Sequence, residues 1–339
     1  MRVNRTIVFG IAALSIGASA GRPADAGPVK HWAALPGREI RTVALRGPMS
    51  SESVLDVVPG RDGWIYVRGK NAVYRLLGTD GAFAPVASFD WCDDRQARTV
   101  VPYATPAFAC VAKNFIVEMK GTAQYRRVLP RPAWADASDG YNLDYPFVTS
   151  IDRAPSGRWW FAYGYARGLG YSDPDGRSRL AQVPGLPPIR SLARLGDDLF
   201  VAADGCVLAR VRDFVVRGIE KACMSPIAPK FVRTADALWV LSEFAAERRD
   251  TIGAVRRWRF DDRVESLAYD RVSRTTYFLG GGYSDRNVLI AIGRDGVAHT
   301  TRLPMTGGTS IAVDGHGRIW ISVRNSHALA AIAPAGTWG

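Results

Sequence analysis

The stretch from Ser310 to Ala333, SIAVDGHGRIWISVRNSHALAAIA, constrains this chain most, because the rest of the sequence repeats it imperfectly. Ile311 and Val313 alternate with Ala312 and Asp314 at the two-residue period of a strand. Asp314-Gly315-His316-Gly317 then supplies residues that tolerate the positive φ of a tight hairpin turn. Ile319-Trp320-Ile321 is a second apolar run. Arg324, Asn325, Ser326 and His327 are loop chemistry, and Ala330 to Ala333 is apolar again. No segment keeps helical spacing long enough to favour a helix.

The unit recurs with an aromatic in its second strand: Trp64 and Tyr66 in RDGWIYVRG, Phe108 in PAFACVA, Trp160 in GRWWFAY, Phe200 in DDLFVAA, Trp239 in ALWVLSE, Tyr277 in TTYFLGG and Trp320 in RIWISV. A first strand precedes each: VLDVV, VVPYA, VTSIDRA, IRSLARL, KFVRTA, ESLAYD and TSIAVD. Seven copies, at a spacing of roughly 40 to 50 residues, predict an all-β chain folded as a single seven-bladed β-propeller of four-stranded antiparallel blades. One such sheet cannot bury both faces. Radial packing on its neighbours does so, and flat rings suit the gap between sheets. The last copy ends after its third strand, at Pro334. Near the start, Arg38 to Arg46 (REIRTVALR) alternates as a strand with no repeat of its own, and is expected to close the ring as the outer strand of the final blade.

Arg2 and Arg5, an apolar run from Ile7 to Ile16, and small-x-small sites at Ala18-Ser19-Ala20 and Ala24-Asp25-Ala26 predict a secretory signal peptide over residues 1–26, cleaved near 20 or 26. The propeller then occupies 27–339. The apolar run is short for a membrane span, no cysteine follows it to carry a lipid, and no later segment suggests a transmembrane anchor. The expected location is periplasmic or secreted. In such a compartment four cysteines suggest two disulfides. Cys92, Cys110, Cys206 and Cys223 permit three pairings, and sequence neighbours give Cys92–Cys110 and Cys206–Cys223. Metal binding by these thiolates is the rival reading, and no C-x-x-C or C-x-H spacing supports it. The formal net charge of +12 points to attraction for anionic surfaces or glycans, or to a solvated basic surface. With no basic run in an exported chain, nucleic acid is not an expected partner.

Propellers bind ligands at the mouth of the central channel, and the loops between second and third strands line one such face. The third blade offers Tyr163 to Gly168, with Tyr165 and Arg167. The fifth offers Glu243 to Thr251, with Arg249. The sixth offers Gly280 to Asn287, with Tyr283, Asp285 and Arg286, and the seventh adds Arg324, Asn325 and His327. Tyr165 and Tyr283 would stack on ring faces; the arginines would fork onto carboxylate, sulfate or uronate groups. The long connection Pro130 to Phe147, with Trp134, Tyr141 and Tyr145, is either functional or packed over the surface.

IAVDGHGRIWISVRNSHALAAI resembles the repeat of virginiamycin B lyase-like and NHL-type propellers, in which a D-G-x-[hydrophobic]-W strand precedes a loop and a short apolar strand. ALWVLSEF…TIGAVRRW is similar to that family's W-F-T-E…I-G-R-I version, with Glu243 at its glutamate. The resemblance covers most of the chain as a fold. It implies a lyase using magnesium, a glutamate and histidines at the mouth. Here His31 precedes the propeller, His316 lies in a turn at the opposite end and His299 in an outer-strand region. Only His327 falls at the mouth, so the family's two-histidine arrangement is missing and Glu243 with His327 would carry any catalysis. A related implication is a Ca²⁺-dependent lactonase-type hydrolase with Glu243, Asp204, Asp285 and Asn325 as oxygen ligands, although Asp204-Gly205 fits a simple turn better. No nucleophile elbow, P-loop, H-E-x-x-H or dinucleotide fingerprint occurs. The expectation is therefore an exported, non-catalytic binding propeller without a cofactor, for an anionic or carbohydrate-like ligand. The alternative is a Mg- or Ca-dependent lyase or lactonase. Small-molecule, glycan and protein ligands stay open, as does oligomeric state.

Overall fold

The structure, a computed structural model, describes residues 29–31, 37–46, 54–60, 62–69, 72–88, 101–104, 107–112, 115–120, 123–134, 148–164, 166–221, 229–234, 237–281, 286–323 and 326–335. Seven antiparallel sheets follow one another round a ring. Their inner strands are Asp56–Pro59, Val101–Ala104, Val148–Arg153, Ile189–Leu195, Lys230–Arg233, Val264–Asp270 and Gly308–Val313. In blades one to six the second, third and outer strands follow in chain order. Among the described residues the only helical turn is Asp204–Cys206, between the second and third strands of blade four.

The recurring aromatics do what their period predicts: each leaves its own sheet and packs on the next. Tyr66 of blade one lies with Cys110, Val117 and Met119 of blade two. Trp160 packs against the cluster of Leu192 and Leu199 in blade four, and Phe200 against Leu238 and Val240 in blade five. Trp239 meets Phe278 and Val288 of blade six. Tyr277 meets Ile311 and Ile321 of blade seven, and Trp320 meets Val57 and Tyr74 of blade one. A buried ring of this size removes on the order of 200 Å² from water, so six such contacts around a closed ring are its main apolar cement. Phe108 falls among residues whose side chains lie outside the description.

Ring closure follows the sequence. Arg38–Ala44 pairs antiparallel with Ala328–Pro334, from Arg38 opposite Pro334 to Ala44 opposite Ala328, as the outer strand of blade seven. Its Val43, with the following Leu45, enters the cluster holding Val54, Ile65 and Phe83 of blade one. Arg46 N donates to Gly81 O at 2.9 Å across the same seam.

Two boundaries differ from the sequence reading. Val29–His31 runs parallel to Ala298–Thr306 as a fifth strand on blade six, so His31 belongs to the propeller rather than preceding it. In blade five, Ala245–Asp250 is the third strand and only Glu243-Phe244 forms the turn. AAERRD is polar because its charges pair within blade five and, through Arg249, with blade four. Arg249 is buried; its guanidinium donates to Glu247 within the strand and to Glu220 Oε2 of blade four at 2.6 Å, and Arg257 bonds Glu247 in turn. Burial opposes ionisation of Glu220, yet the Arg249 and Arg257 guanidiniums hold its carboxyl below the usual range.

Candidate binding site at the channel mouth

One face of the ring collects the turns between second and third strands and the connections between blades. The inner strands begin there, and four of them begin alike. Pairing with the second strand skips one residue, a β-bulge, between Val148 and Ser150, Ile189 and Ser191, Val264 and Ser266, and Gly308 and Ser310. The residues left over at the mouth are Thr149, Arg190, Glu265 and Thr309. The serine after each one latches its blade to the next. Ser150 Oγ accepts from Leu192 N at 3.1 Å, Ser266 Oγ from Ile311 N at 3.3 Å and Ser310 Oγ from Val57 N at 2.9 Å, while Ser191 Oγ donates to Pro229 O at 3.1 Å. The signal was present in the sequence as TSI, RSL, ESL and TSI at one position of the repeat.

At that position blades one and five carry charge in place of serine. Asp56 pairs opposite Arg68, and Lys230 opposite Leu241. Enclosure pushes the Asp56 carboxyl up, against the opposing pull of the Ser310 hydrogen bond, Arg68 and Lys230. Lys230 Nζ also donates to Glu265 O at 3.3 Å. Around this ring, Arg190 forks onto Asp204 with two 2.7 Å bonds, and Arg263 Nε sits 3.5 Å from Glu243 and 3.8 Å from Glu265. The exposed Phe244 stands on the rim beside Glu243.

Two predicted rim arginines are exposed and, among the described residues, face no carboxylate: Arg167 in blade three and Arg286 at the start of the third strand of blade six. Arg167 is held with φ at 51°, a left-handed conformation costly for a residue with a Cβ. Its N donates to Gly164 O at 3.1 Å, its carbonyl accepts from Val183 N at 3.0 Å, and Trp134 Nε1 anchors the neighbouring Ala166 O at 2.8 Å. Tyr163 Oη donates to Pro130 O at 3.0 Å, so the described start of the long connection packs onto this loop. The flanks of the loops are structural: Tyr163 is a buried strand residue, and buried Asn287 joins blades six and seven by accepting from Gly308 N at 2.8 Å.

Arg249 lies in the seam between blades four and five, away from these arginines. Tyr165, Tyr283, Asp285, Arg324 and Asn325 lie outside the described residues, as do Cys92 and Cys223. Cys110 and Cys206 are fully buried and disulfide-bonded. His327 is exposed at the start of its strand, and its carbonyl accepts from Leu45 N at 2.8 Å. His316 sits in the turn on the opposite face and His299 in the outer strand of blade six.

Magnesium or calcium chemistry would need donors converging at this mouth. Glu243 and His327 belong to blades five and seven, and the Glu243 carboxylate is turned to Arg263. Asp204 is taken by Arg190 in a tight turn, with Gly205 at φ 71°. Among the described residues no three His, Cys, Asp or Glu side chains come together as a metal site. The donor set on view does not fit the ion.

No family model matches the chain, and no curated protein matches its sequence. Solved structures do match its fold. A streptogramin B lyase structure aligns at TM-score 0.66 and 14% identity over 87% of this chain and 97% of that one. Virginiamycin B lyase from Staphylococcus aureus aligns at TM-score 0.64 and 14% identity, covering 87% and 99%. The extracellular domain of a hybrid two-component system from B. thetaiotaomicron aligns at TM-score 0.58 and 13% identity, covering 87% of this chain and 42% of that one. The fold is thus a seven-bladed β-propeller, and the resemblance to virginiamycin B lyase-like propellers holds at the level of fold.

Proposed function

We propose that the chain is an exported, non-catalytic binding propeller that takes an anionic ligand at its channel mouth. The observation that carries this reading is the pair Arg167 and Arg286. Both are exposed and without a carboxylate partner among the described residues, and one is held in a costly backbone conformation by a braced loop. The other described cations of the mouth are already engaged, Arg190 with Asp204, Arg263 with Glu243 and Glu265, and Lys230 with the Glu265 carbonyl. Guanidinium forks suit carboxylate, sulfate or uronate groups. Phe244 adds a described ring face, beside the proposed faces of Tyr165 and Tyr283. Arg324 and Asn325 would complete the rim. Glu243 ion-paired with Arg263 at 3.5 Å supports binding over catalysis.

Export is supported by the leader-like residues 1–26, by the bonded state of Cys110 and Cys206, and by the fold shared with extracellular propeller domains. Among the described residues no helix is long and apolar enough to cross a membrane. The pairs Cys92–Cys110 and Cys206–Cys223 would each stabilise by roughly 3 kcal/mol in the chain-entropy model. Non-reducing peptide mapping of the mature protein checks them; free thiols at these positions would refute both pairs.

The binding test is a panel of uronated and sulfated oligosaccharides against the wild type and the Arg167→Ala/Arg286→Ala variant. The expected result is salt-sensitive binding that weakens about tenfold or more in the variant, two charge-assisted contacts being lost. Binding of equal strength in both proteins would leave only a generic basic surface.

A further inference from the structure

The face opposite the mouth carries a cleft of about 310 Å³ at the closing seam, between the first turns of blades seven and one. Its floor is apolar, made by buried Ile65 and Leu76. One wall is the Trp64 indole, 43% exposed, with the Arg75 guanidinium 5.3 Å from its ring centre. Exposed His316 lines the other side, with Arg318 beside it.

Trp64 is not needed to hold the seam. The aromatic that cements blade one is Tyr66, buried against blade two. The two turns are stapled by backbone: Gly315 N donates to Gly63 O at 2.7 Å, and a Cβ on either glycine would lie 3.3 Å from the other's Cα. An indole left this exposed, over an apolar floor and between polar side chains, is a platform for a pyranose. The C–H face of the sugar lies on the ring while its hydroxyls reach the polar rim.

The charges at the rim cancel locally. Asp314 accepts from His316 N, Arg318 N, Arg318 Nε and Trp320 Nε1, and Asp62 accepts from Trp64 N and the Tyr66 hydroxyl. The carboxylates are therefore occupied and the Arg318 cation is neutralised at 2.6 Å. This is a poor site for an anion, unlike the mouth.

We propose that this cleft binds a neutral pyranose unit, stacked on Trp64 and bonded by His316, independently of the mouth. The test follows the indole N–H signals of ¹⁵N-labelled protein during titration with methyl glycosides of glucose, galactose, mannose and N-acetylglucosamine. Loss of one signal in Trp64→Phe assigns Trp64. The expected result is a saturable shift of that signal with at least one glycoside. Affinity, followed on the neighbouring signals, falls about tenfold in Trp64→Ala, falls less in His316→Ala, and is unchanged in Arg167→Ala/Arg286→Ala. Both cleft residues are exposed, so the remaining spectrum reports an intact fold. No saturable shift with any glycoside overturns the proposal. So does binding that survives Trp64→Ala unweakened, or that disappears in the double arginine variant.

Discussion

The two faces of the propeller differ in how their carboxylates are placed. On the face away from the mouth, seven aspartates close turns by accepting from the backbone N two residues on: Asp62, Asp80, Asp175, Asp250, Asp270, Asp295 and Asp314. Each carboxylate is satisfied within its own hairpin. At the mouth, side chains also bond across blades, Lys230 to Glu265 O and Ser310 to Val57 N, and among the described residues Arg167 and Arg286 face no carboxylate. The first face is built to be stable. The second is braced across blades and carries the two arginines on which the proposed ligand site rests.

The largest expected effect checks where Arg249 belongs. Arg249→Met strips a buried pair and should cost about 3–5 kcal/mol in denaturant unfolding, with mouth binding unchanged. A loss of binding at full stability would return this residue to the rim. Next, Asp314→Ala on the opposite face leaves the buried Trp320 indole N–H and the Arg318 charge without their acceptor. It should cost about 3 kcal/mol and again spare the mouth; a cost below about 0.5 kcal/mol would deny these turns their structural role.

A smaller effect has the opposite sign. Arg167→Gly relieves the left-handed backbone and should raise stability by up to about 1 kcal/mol while weakening anion binding several-fold. Gains in both, or losses in both, would break the link between strain and function. The smallest effect concerns pH. The folded state holds the Asp56 carboxyl above its ordinary value, chiefly through burial. Its ionisation therefore costs stability as pH rises past the ordinary carboxylate range and through the raised value. Asp56→Asn should be more stable than the wild type at neutral pH, with the gain fading as pH falls through the raised value and gone below about pH 4. A gain independent of pH would place the carboxyl outside this linkage.

What the sequence disclosed, and what it hid, follows the same division. The D-G turns and the second-strand aromatics obey local rules with a fixed period, so the blades and the closing strand Arg38–Ala44 were legible. AAERRD was not, because its polarity reflects partners in blades four and five that are distant in sequence. The three-residue strand Val29–His31 has too little pattern to announce itself. The serine latch was visible as a repeated x-Ser-[Ile/Leu], but a serine gives no sign of its partner until the blades are side by side. Arg190, Lys230, Glu265 and Phe244 reach the mouth through bulges, a strand start and a two-residue turn, features that leave little mark on composition.

The most direct measurement of the central claim is a hydrogen-exchange footprint of the intact protein with and without a saturating uronated or sulfated oligosaccharide. Protection should concentrate in 164–168 and 281–288, the mouth segments of blades three and six, and vanish in Arg167→Ala/Arg286→Ala. Protection confined to the opposite turns, such as 60–64 and 314–318, or spread evenly over the basic surface, would contradict the account.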